Sequence, residues 1–286
     1  MQCEELNKGI ITKELKVGYD GRIIVPSFDI RIQSGKITSV IGANGCGKST
    51  VLKAIGRIIR SDSGCVIING TDMAEMKNKE IAKQMAILPQ TPTAPGTLTC
   101  HELVAYGRFP YQKGLGKLSQ EDKRIVEWSL EATNMINFRN RPIASLSGGQ
   151  RQRVWIAMAL AQQTGIILLD EPTTYLDLAH QLEVLELLKH LNENERTTIV
   201  MVLHDLNLAS RYSDYLLAML DGQMESYGTP SEVMTKRMLC ECFGIDGDIM
   251  TDPRSGKPLC ISYDLVKSER ANPNAFTHKE GESIKV

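Results

Sequence analysis

The sequence has little of what would assign a chain to a special class. Net charge is nearly nil: 33 Lys and Arg stand against 34 Asp and Glu, a formal balance of −1. No global field therefore favours nucleic acid or an anionic membrane surface. Long apolar runs are missing too. The uncharged stretch from Val154 to Leu169 falls short of the roughly 18 to 20 apolar residues a spanning helix needs, and Gln162, Gln163, Thr164 and Gly165 interrupt it. The opening residues Met1-Gln2-Cys3-Glu4-Glu5-Leu6 carry two acids, and no apolar leader follows, which predicts a chain that stays in the cytoplasm. A cysteine framework is absent: seven cysteines, at 3, 46, 65, 100, 240, 242 and 260, are odd in number and scattered, as suits a reducing compartment. Cys240 and Cys242 stand one residue apart with no second pair at matching distance, against the roughly two-to-four-residue gap of zinc knuckles.

What is present is enough for a sizeable core. At about 150 residues per domain, 286 residues make two domains or one large elaborated one. Hydrophobic residues are 42% and charged residues 23%, which excludes disordered, collagen-like and fibrous chains. The methionines are dispersed along the chain, the pattern of core filling rather than of a metal or haem site.

The first forty residues read as strands. Phe28, Ile30 and Ile32 alternate with Asp29 and Arg31, and Ile37 to Ile41 is a β-branched run ending at Gly42. From Ser49 a helical pattern follows, with Val51, Leu52, Ile55, Ile58 and Ile59 on one side. Cys65 to Ile68 and Met85 to Leu88 read as further strands, the first closed by Asn69-Gly70. A Pro- and Gly-rich stretch from Gln90 to Gly116 surrounds a short helix near His101 to Tyr106, and helices are predicted over Ser119 to Asn134 and through Val154 to Leu160. Strand and helix then alternate: Ile166 to Leu169, a helix from about Ala179 to Leu191, Thr197 to Leu203, a short helix after His204, and Tyr215 to Leu220 before the hairpin dipeptide Asp221-Gly222. Such alternation implies a parallel sheet covered on both faces. Beyond about Val266 the chain turns polar, the composition of a loose tail.

Two segments carry chemistry. Gly42-Ala43-Asn44-Gly45-Cys46-Gly47-Lys48-Ser49-Thr50 satisfies G-x-x-x-x-G-K-[ST] between a predicted strand and a predicted helix. Glycines let successive N–H groups curl around phosphates, the helix amino end adds its positive dipole, Lys48 reaches the β/γ oxygens and Ser49 offers its hydroxyl to Mg2+. Ile166-Ile167-Leu168-Leu169-Asp170-Glu171 is an apolar strand ending in two acids. Asp170 can hold Mg2+ through water while Glu171 takes a proton from attacking water; taken alone, the two acids could equally cap the next helix.

With Leu146-Ser147-Gly148-Gly149-Gln150 between them, these segments resemble the ATP-binding cassette (ABC) proteins over nearly all of residues 10 to 265. The resemblance implies an α/β P-loop cassette with a mixed core sheet, an antiparallel β subdomain and a helical signature subdomain. It implies a single ATPase domain over 1-265, with the helical part inserted at about 91-160 and the polar tail at 266-286. It also implies roles: Gln90 as the Q-loop glutamine and a Mg2+ ligand with Ser49 and Asp170, Glu171 as base, His204 as switch histidine, Asp177 in the D-loop, and Tyr19 stacking on adenine. Gln90 could instead be a surface turn residue, His204 a helix cap, and Tyr19 a core aromatic. In that family the signature of one subunit, here Ser147 to Gln150, completes the ATP site of the other, so a head-to-tail homodimer around two ATP molecules is expected.

Within the family the chain looks like the separate ATPase subunit of an importer of iron chelates. The residues that suggest this are Thr97-Leu98-Thr99, Gly107-Arg108-Phe109-Pro110-Tyr111, Tyr175-Leu176-Asp177-Leu178-Ala179-His180-Gln181, Asp205-Leu206-Asn207-Leu208-Ala209 and Asp252-Pro253-Arg254-Ser255-Gly256-Lys257-Pro258. The resemblance implies a peripheral place on the cytoplasmic membrane face, an integral permease that docks against Thr91 to Tyr111, a substrate-binding protein acting at one remove, and no nucleic acid. A ferric siderophore is the first expectation for cargo, with haem or cobalamin as alternatives and a soluble, non-transport ABC ATPase as the competing class.

Overall fold

The computed structural model describes residues 8–112, 117–174 and 176–266. Cys3, Gly114, Gly116, Tyr175 and the predicted tail from residue 267 onward lie outside the described residues.

The chain opens on β1 (Gly9–Tyr19), β2 (Arg22–Val25) and β3 (Ile30–Gln33), then enters β4 (Ile37–Gly42) and, past the glycine loop, α1 (Lys48–Ile55). β5 (Ser63–Ile68) and β6 (Thr71–Asp72) turn tightly at Asn69-Gly70. β1, β2, β5 and β6 form an antiparallel sheet in the order β2-β1-β5-β6, with β3 also paired to β1. α1 is shorter than its apolar pattern predicts. Gly56 ends it, Arg57 adopts the left-handed conformation with φ 54°, and Ile58, expected on the buried side, is exposed.

α2 (Asn78–Gln84) leads into β7 (Met85–Leu88), after which come α3 (Cys100–Ala105), a 3-10 turn over Tyr106–Tyr111, α4 (Gln120–Ala132) and α5 (Gly148–Ala161). β8 (Ile166–Asp170), α6 (Leu178–Glu195), β9 (Thr198–Val202), α7 (Leu206–Tyr212), β10 (Tyr215–Leu220) and β11 (Gln223–Gly228) restore the alternation. α8 (Pro230–Val233), α9 (Lys236–Phe243) and the hairpin β12 (Ile245–Thr251) with β13 (Pro258–Leu265) follow.

The core sheet runs β11-β10-β4-β9-β8-β7, with every pair parallel except the antiparallel edge β10–β11. A mixed α/β cassette with a separate antiparallel sheet is therefore what the sequence folds into. Strands β4, β8 and β9 are buried along their whole length, and alternate residues serve two different cores. Ile167, Leu169, Ile199 and Met201 join the cluster that holds α3 to α6, whereas Ile166, Leu168, Val200 and Val202 join the one that holds α1 and the antiparallel sheet. A strand with both faces apolar reads as an unbroken hydrophobic run, which is why the sequence shows no alternation in β8 and β9, whereas β4 also buries Thr38 and Ser39.

One buried ion pair anchors the helical segment. Arg108 Nε lies 2.8 Å from Asp122 Oδ1, its Nη1 donates to the Ala161 carbonyl at 2.8 Å, and the guanidinium stacks 4.0 Å over the Tyr111 ring. It thereby ties the 3-10 turn to the start of α4 and the end of α5. Gly107 makes the crossing possible, because a Cβ there would stand 2.3 Å from the Met158 carbonyl oxygen of α5. Burial raises the Asp122 carboxyl, but bonds from Ser119 and Arg108 outweigh it and hold the group below the usual carboxylate range. A lowered carboxylate stabilises the fold above the unfolded-chain value and loses that contribution as pH falls through the folded one. Arg108→Ala strands the carboxylate, so chemical denaturation at neutral pH should show a loss of about 3–5 kcal/mol, with the difference from wild type shrinking in acid.

Candidate functional site

The site follows from the register of the parallel strands. Leu88 pairs with Leu169, Leu169 with Met201, and Val202 with Val40, so the carboxyl ends of β7, β8, β9 and β4 finish level. Gln90 and Glu171 each lie two residues past the first pair, and His204 and Gly42 each two past the last. Residues spread from 42 to 204 meet at one end of one sheet, where ligands of open α/β sheets bind.

The glycine loop leaves β4 at Gly42, where φ is 148°. A Cβ at Gly42 would meet the Met219 carbonyl oxygen at 2.4 Å and the Cys46 sulfur at 2.8 Å, so only glycine fits. Gly45 and Gly47 also take left-handed conformations, at 82° and 100°, and among the described residues their N–H groups find no acceptor. Asn44 and Gly45 are exposed at the crown, Cys46 and Lys48 are buried beneath it, and Ser49 and Thr50 are half-buried in the first turn of α1. Lys48 Nζ folds back to donate to the carbonyls of Gly42 at 2.9 Å and Ala43 at 2.8 Å. The arrangement is an anion cradle: unpaired N–H groups, a helix amino end and an ammonium.

Across from it, Ser49 Oγ donates to Asp170 Oδ1 at 2.7 Å. Asp170 Oδ2 is buried without a hydrogen bond, with Lys53 Nζ 3.9 Å away. Burial pushes the Asp170 carboxyl above its usual range, and Ser49 and Lys53 only partly oppose it. An orphaned carboxylate oxygen beside a serine hydroxyl is the oxygen donor set Mg2+ takes, so these residues fit the cation that the sequence implies.

Glu171 holds φ at 54°, a conformation that costs a non-glycine residue on the order of 1–2 kcal/mol. Three partners fix it there. His204 Nε2 lies 2.6 Å from Oε1, while Oε2 accepts from Gln90 Nε2 at 2.5 Å and from Thr174 Oγ1 at 2.9 Å. Burial raises the carboxyl, yet the bonds from His204, Thr174 and Gln90 more than compensate and keep it below the usual range. Glu171 is thus ionised at neutral pH and able to accept a proton. Gln90 sits on Glu171, not on the Ser49–Asp170 pair where the sequence places a Mg2+ ligand. Thr174 was not among the expected residues; it lies three positions past Glu171.

Other expected residues stand apart. Tyr19 is exposed at the end of β1, where it pairs with Arg22; β2 packs Ile24 and Val25 against Gly47. Ser147 caps α5, accepting from the Gln150 N–H at 3.3 Å while Gln150 Oε1 accepts from the Ser147 N–H at 3.1 Å. Gly148 faces open space, and Gly149 packs on His180. Among the described residues no hydrogen bond joins Ser147 to Gln150 with the glycine loop. Asp177 caps α6, its Oδ1 accepting from the His180 N–H at 2.9 Å.

Comparison with known proteins matches residues 26–174 to the model of the ABC transporter family. The chain is 58% identical over 259 residues, 91% of its length, to the iron(3+)-hydroxamate import ATP-binding protein FhuC of Bacillus subtilis (strain 168), of which 96% is covered. Among solved structures, it resembles a metal-chelate-type ABC transporter in an inward-facing conformation at TM-score 0.76 and 27% identity, covering 89% of this chain and 97% of the other. It resembles the dimeric cassette MJ0796, a bacterial ABC transporter cassette, at TM-score 0.69 and 31% identity, covering 77% and 98%.

The raised Asp170 carboxyl makes a stability prediction. A group whose folded value lies above its unfolded one binds protons more readily in the native state, so its ionised form costs stability at neutral pH. Asp170→Asn should melt above wild type in metal-free buffer and lose the further stabilisation that Mg2+ gives the ATP complex; calorimetric melting with and without Mg2+ measures both.

Proposed function

We propose that this chain, which belongs to the ABC transporter family of ATPases, is the ATP-hydrolysing subunit of an importer whose cargo is an iron chelate, a ferric siderophore of the hydroxamate type first. The observation that carries the reading is the convergence of the Lys48 loop, the Ser49–Asp170 pair and the triply held Glu171 at one sheet end. The cargo rests on the likeness to an iron(3+)-hydroxamate import protein and to a metal-chelate-type transporter.

The chain's own residues divide the work. The unpaired N–H groups of the loop and the Lys48 ammonium bind the β- and γ-phosphates, for which Lys48 exchanges the two loop carbonyls it now holds. Tyr19, exposed at the end of β1, is the aromatic for adenine. Ser49 and Asp170 hold Mg2+, with Gln90 able to turn its free amide oxygen toward it; the bound cation neutralises phosphate charge. Glu171 orients water and accepts its proton, while His204, Gln90 and Thr174 keep its carboxylate aimed and ionised.

The second cradle is the α5 amino end. Its exposed Ser147 and Gly148 reach no phosphate loop of their own chain, which supports a head-to-tail homodimer in which Ser147 to Gln150 close over the partner's ATP; Asp177 lies near that seam. The likeness to a dimeric cassette points the same way. An integral permease supplies the path and this subunit lies against its cytoplasmic side, a reading supported by the likeness to a metal-chelate-type ABC transporter; among the described residues no helix is long and apolar enough to cross a membrane. Phe109 and Tyr106, 70% and 57% exposed on a turn that buried Arg108 holds rigid, present an apolar face close in sequence to Gln90 for the permease. A substrate-binding protein selects the cargo, and no nucleic acid is involved.

Uptake of labelled ferric hydroxamate, haem and cobalamin, in cells whose only copy carries Glu171→Gln, tests the assignment. Loss of ferric hydroxamate uptake alone is expected, with the purified variant binding ATP but turning over at least about a hundredfold more slowly. Loss of haem or cobalamin uptake instead would reassign the cargo, and undiminished uptake of all three would refute the importer reading. Phe109→Ser should leave the ATPase rate of the isolated subunit unchanged while abolishing uptake.

A further inference from the structure

A concentration of cations lies at the opposite end of the core sheet from the glycine loop, and ATP hydrolysis makes no use of it. A pocket of about 530 Å³ opens there between the β3–β4 turn, the ends of α6 and α7, and the turn joining β12 to β13. Lys36, Lys189, Arg196, Arg211, Arg254 and Lys257 line it, against the carboxylates of Asp214 and Glu193. The chain as a whole balances at −1, so six cations against two acids is a local excess.

Part of that excess has an internal use. α6 and α7 end here, each contributing about half a negative charge from its terminal carbonyls. Lys257 Nζ donates to the carbonyls of Arg211 at 3.1 Å and Ser213 at 2.5 Å. Lys36 pairs with Asp214 at 3.4 Å, and Lys189 reaches Glu193 at 3.9 Å. The two helix ends and the carboxylates of Asp214 and Glu193 together offset about three of the six charges, before Asp252 is counted.

The remainder is identifiable. Among the described residues the guanidinium groups of Arg196, Arg211 and Arg254 have no hydrogen-bonded or salt-bridged partner; Arg211 lies over the Tyr212 ring at 5.4 Å and within electrostatic reach of the Asp252 carboxylate. Arg254 is held in place by a built turn: Asp252 Oδ1 accepts its N–H at 3.0 Å, Asp252 Oδ2 accepts from Ser255 Oγ at 2.6 Å, and the Gly256 N–H closes on the Asp252 carbonyl at 2.8 Å. The Asp252 carboxylate keeps its charge while it accepts these bonds, and the Arg211 cation is one of the groups that hold it below its usual range, so with Asp252 counted about two of the six positive charges stay uncompensated. This accounts for the Asp252 to Pro258 segment, which the hydrolytic site leaves without a role. Three guanidinium forks line one concavity, and their planar donors match phosphate and carboxylate oxygens. The volume lies in the range of small-molecule pockets.

We propose that this pocket binds a compact anion of two or more negative charges, a phosphate- or carboxylate-bearing small molecule gripped by Arg196, Arg211 and Arg254. The site lies at the far end of α7, the helix that starts just past His204, and is separate from the ATP site.

The test uses the full chain with its nucleotide site saturated by Mg-ADP, so that phosphate probes cannot enter the glycine loop. Pyrophosphate and citrate are titrated separately by calorimetry at constant ionic strength. Saturable binding of one molecule per chain is expected. Arg196→Gln and Arg254→Gln, both at exposed positions, should each weaken it about tenfold, the value of one charge-assisted bond, with melting temperatures unchanged in the absence of anion. Binding of pyrophosphate alone assigns a phosphate ligand, and of citrate alone a carboxylate. No binding of either probe, or binding that both variants leave intact, overturns the proposal and reduces the cations to counter-charges for two helix ends.

Discussion

The parallel register of β7, β8, β9 and β4 is the constraint on which the site depends. Each strand delivers its working residue two positions beyond a rung of the ladder, and a slip of one residue along any strand would carry that residue about 3.3 Å along the sheet and turn it to the opposite face. Hydrogen bonds of 2.5 to 2.9 Å between Gln90, Thr174, His204 and Glu171 do not survive such a displacement. The register is in turn held by burial, since the alternate residues of each strand are claimed by different cores. A slip would exchange every one of them.

Local strain and local charge are managed by neighbours rather than by the residues that bear them. Glu171 keeps an unfavourable backbone because three side chains from three segments over-determine its carboxylate. Asp170 keeps an unpaired oxygen because Ser49 and Lys53 supply part of what a cation would complete. Arg108 tolerates burial because Asp122, a backbone carbonyl and an aromatic face satisfy it together. Glu171 and Arg108 are costly alone and stable in company, whereas Asp170 stays costly until a cation completes its surroundings.

The glycine loop, the core strands and most helices were legible because their signals are local: a spaced glycine pattern, short β-branched runs, apolar periodicity. Met85–Leu88 and Tyr215–Leu220 fall where the run lengths put them. What was not legible depends on distance or on backbone detail. The apolar spacing that extends through Ile58 and Ile59 gives no sign that Arg57 turns left-handed after Gly56. The pairing of Arg108 with Asp122 joins a turn to a helix across a loop and has no periodicity. The β12–β13 hairpin mixes exposed Tyr263 and Leu265 with buried Cys260, so its alternation is blurred, and the pocket it closes with α6 and α7 could not be assembled from sequence. The resemblance singled out Gln90 as a Mg2+ ligand, but its bond to Glu171 joins residues 81 positions apart and has no local signal.

The strand order has a consequence for the time course of folding. β4, which carries the glycine loop, is central in the sheet, yet both its neighbours are late in the chain: Ile37 pairs with Ile199, and Thr38 with Tyr215. At a synthesis rate of about 5–20 residues per second, a strand that ends up buried along its whole length waits on the order of ten seconds for its first partner. Only the antiparallel sheet and α1, which come from the same early stretch, are available to cover it meanwhile. Nascent chains of this topology therefore expose an unpaired hydrophobic strand longest at the segment the catalytic loop springs from, and that interval is where dependence on chaperones would concentrate.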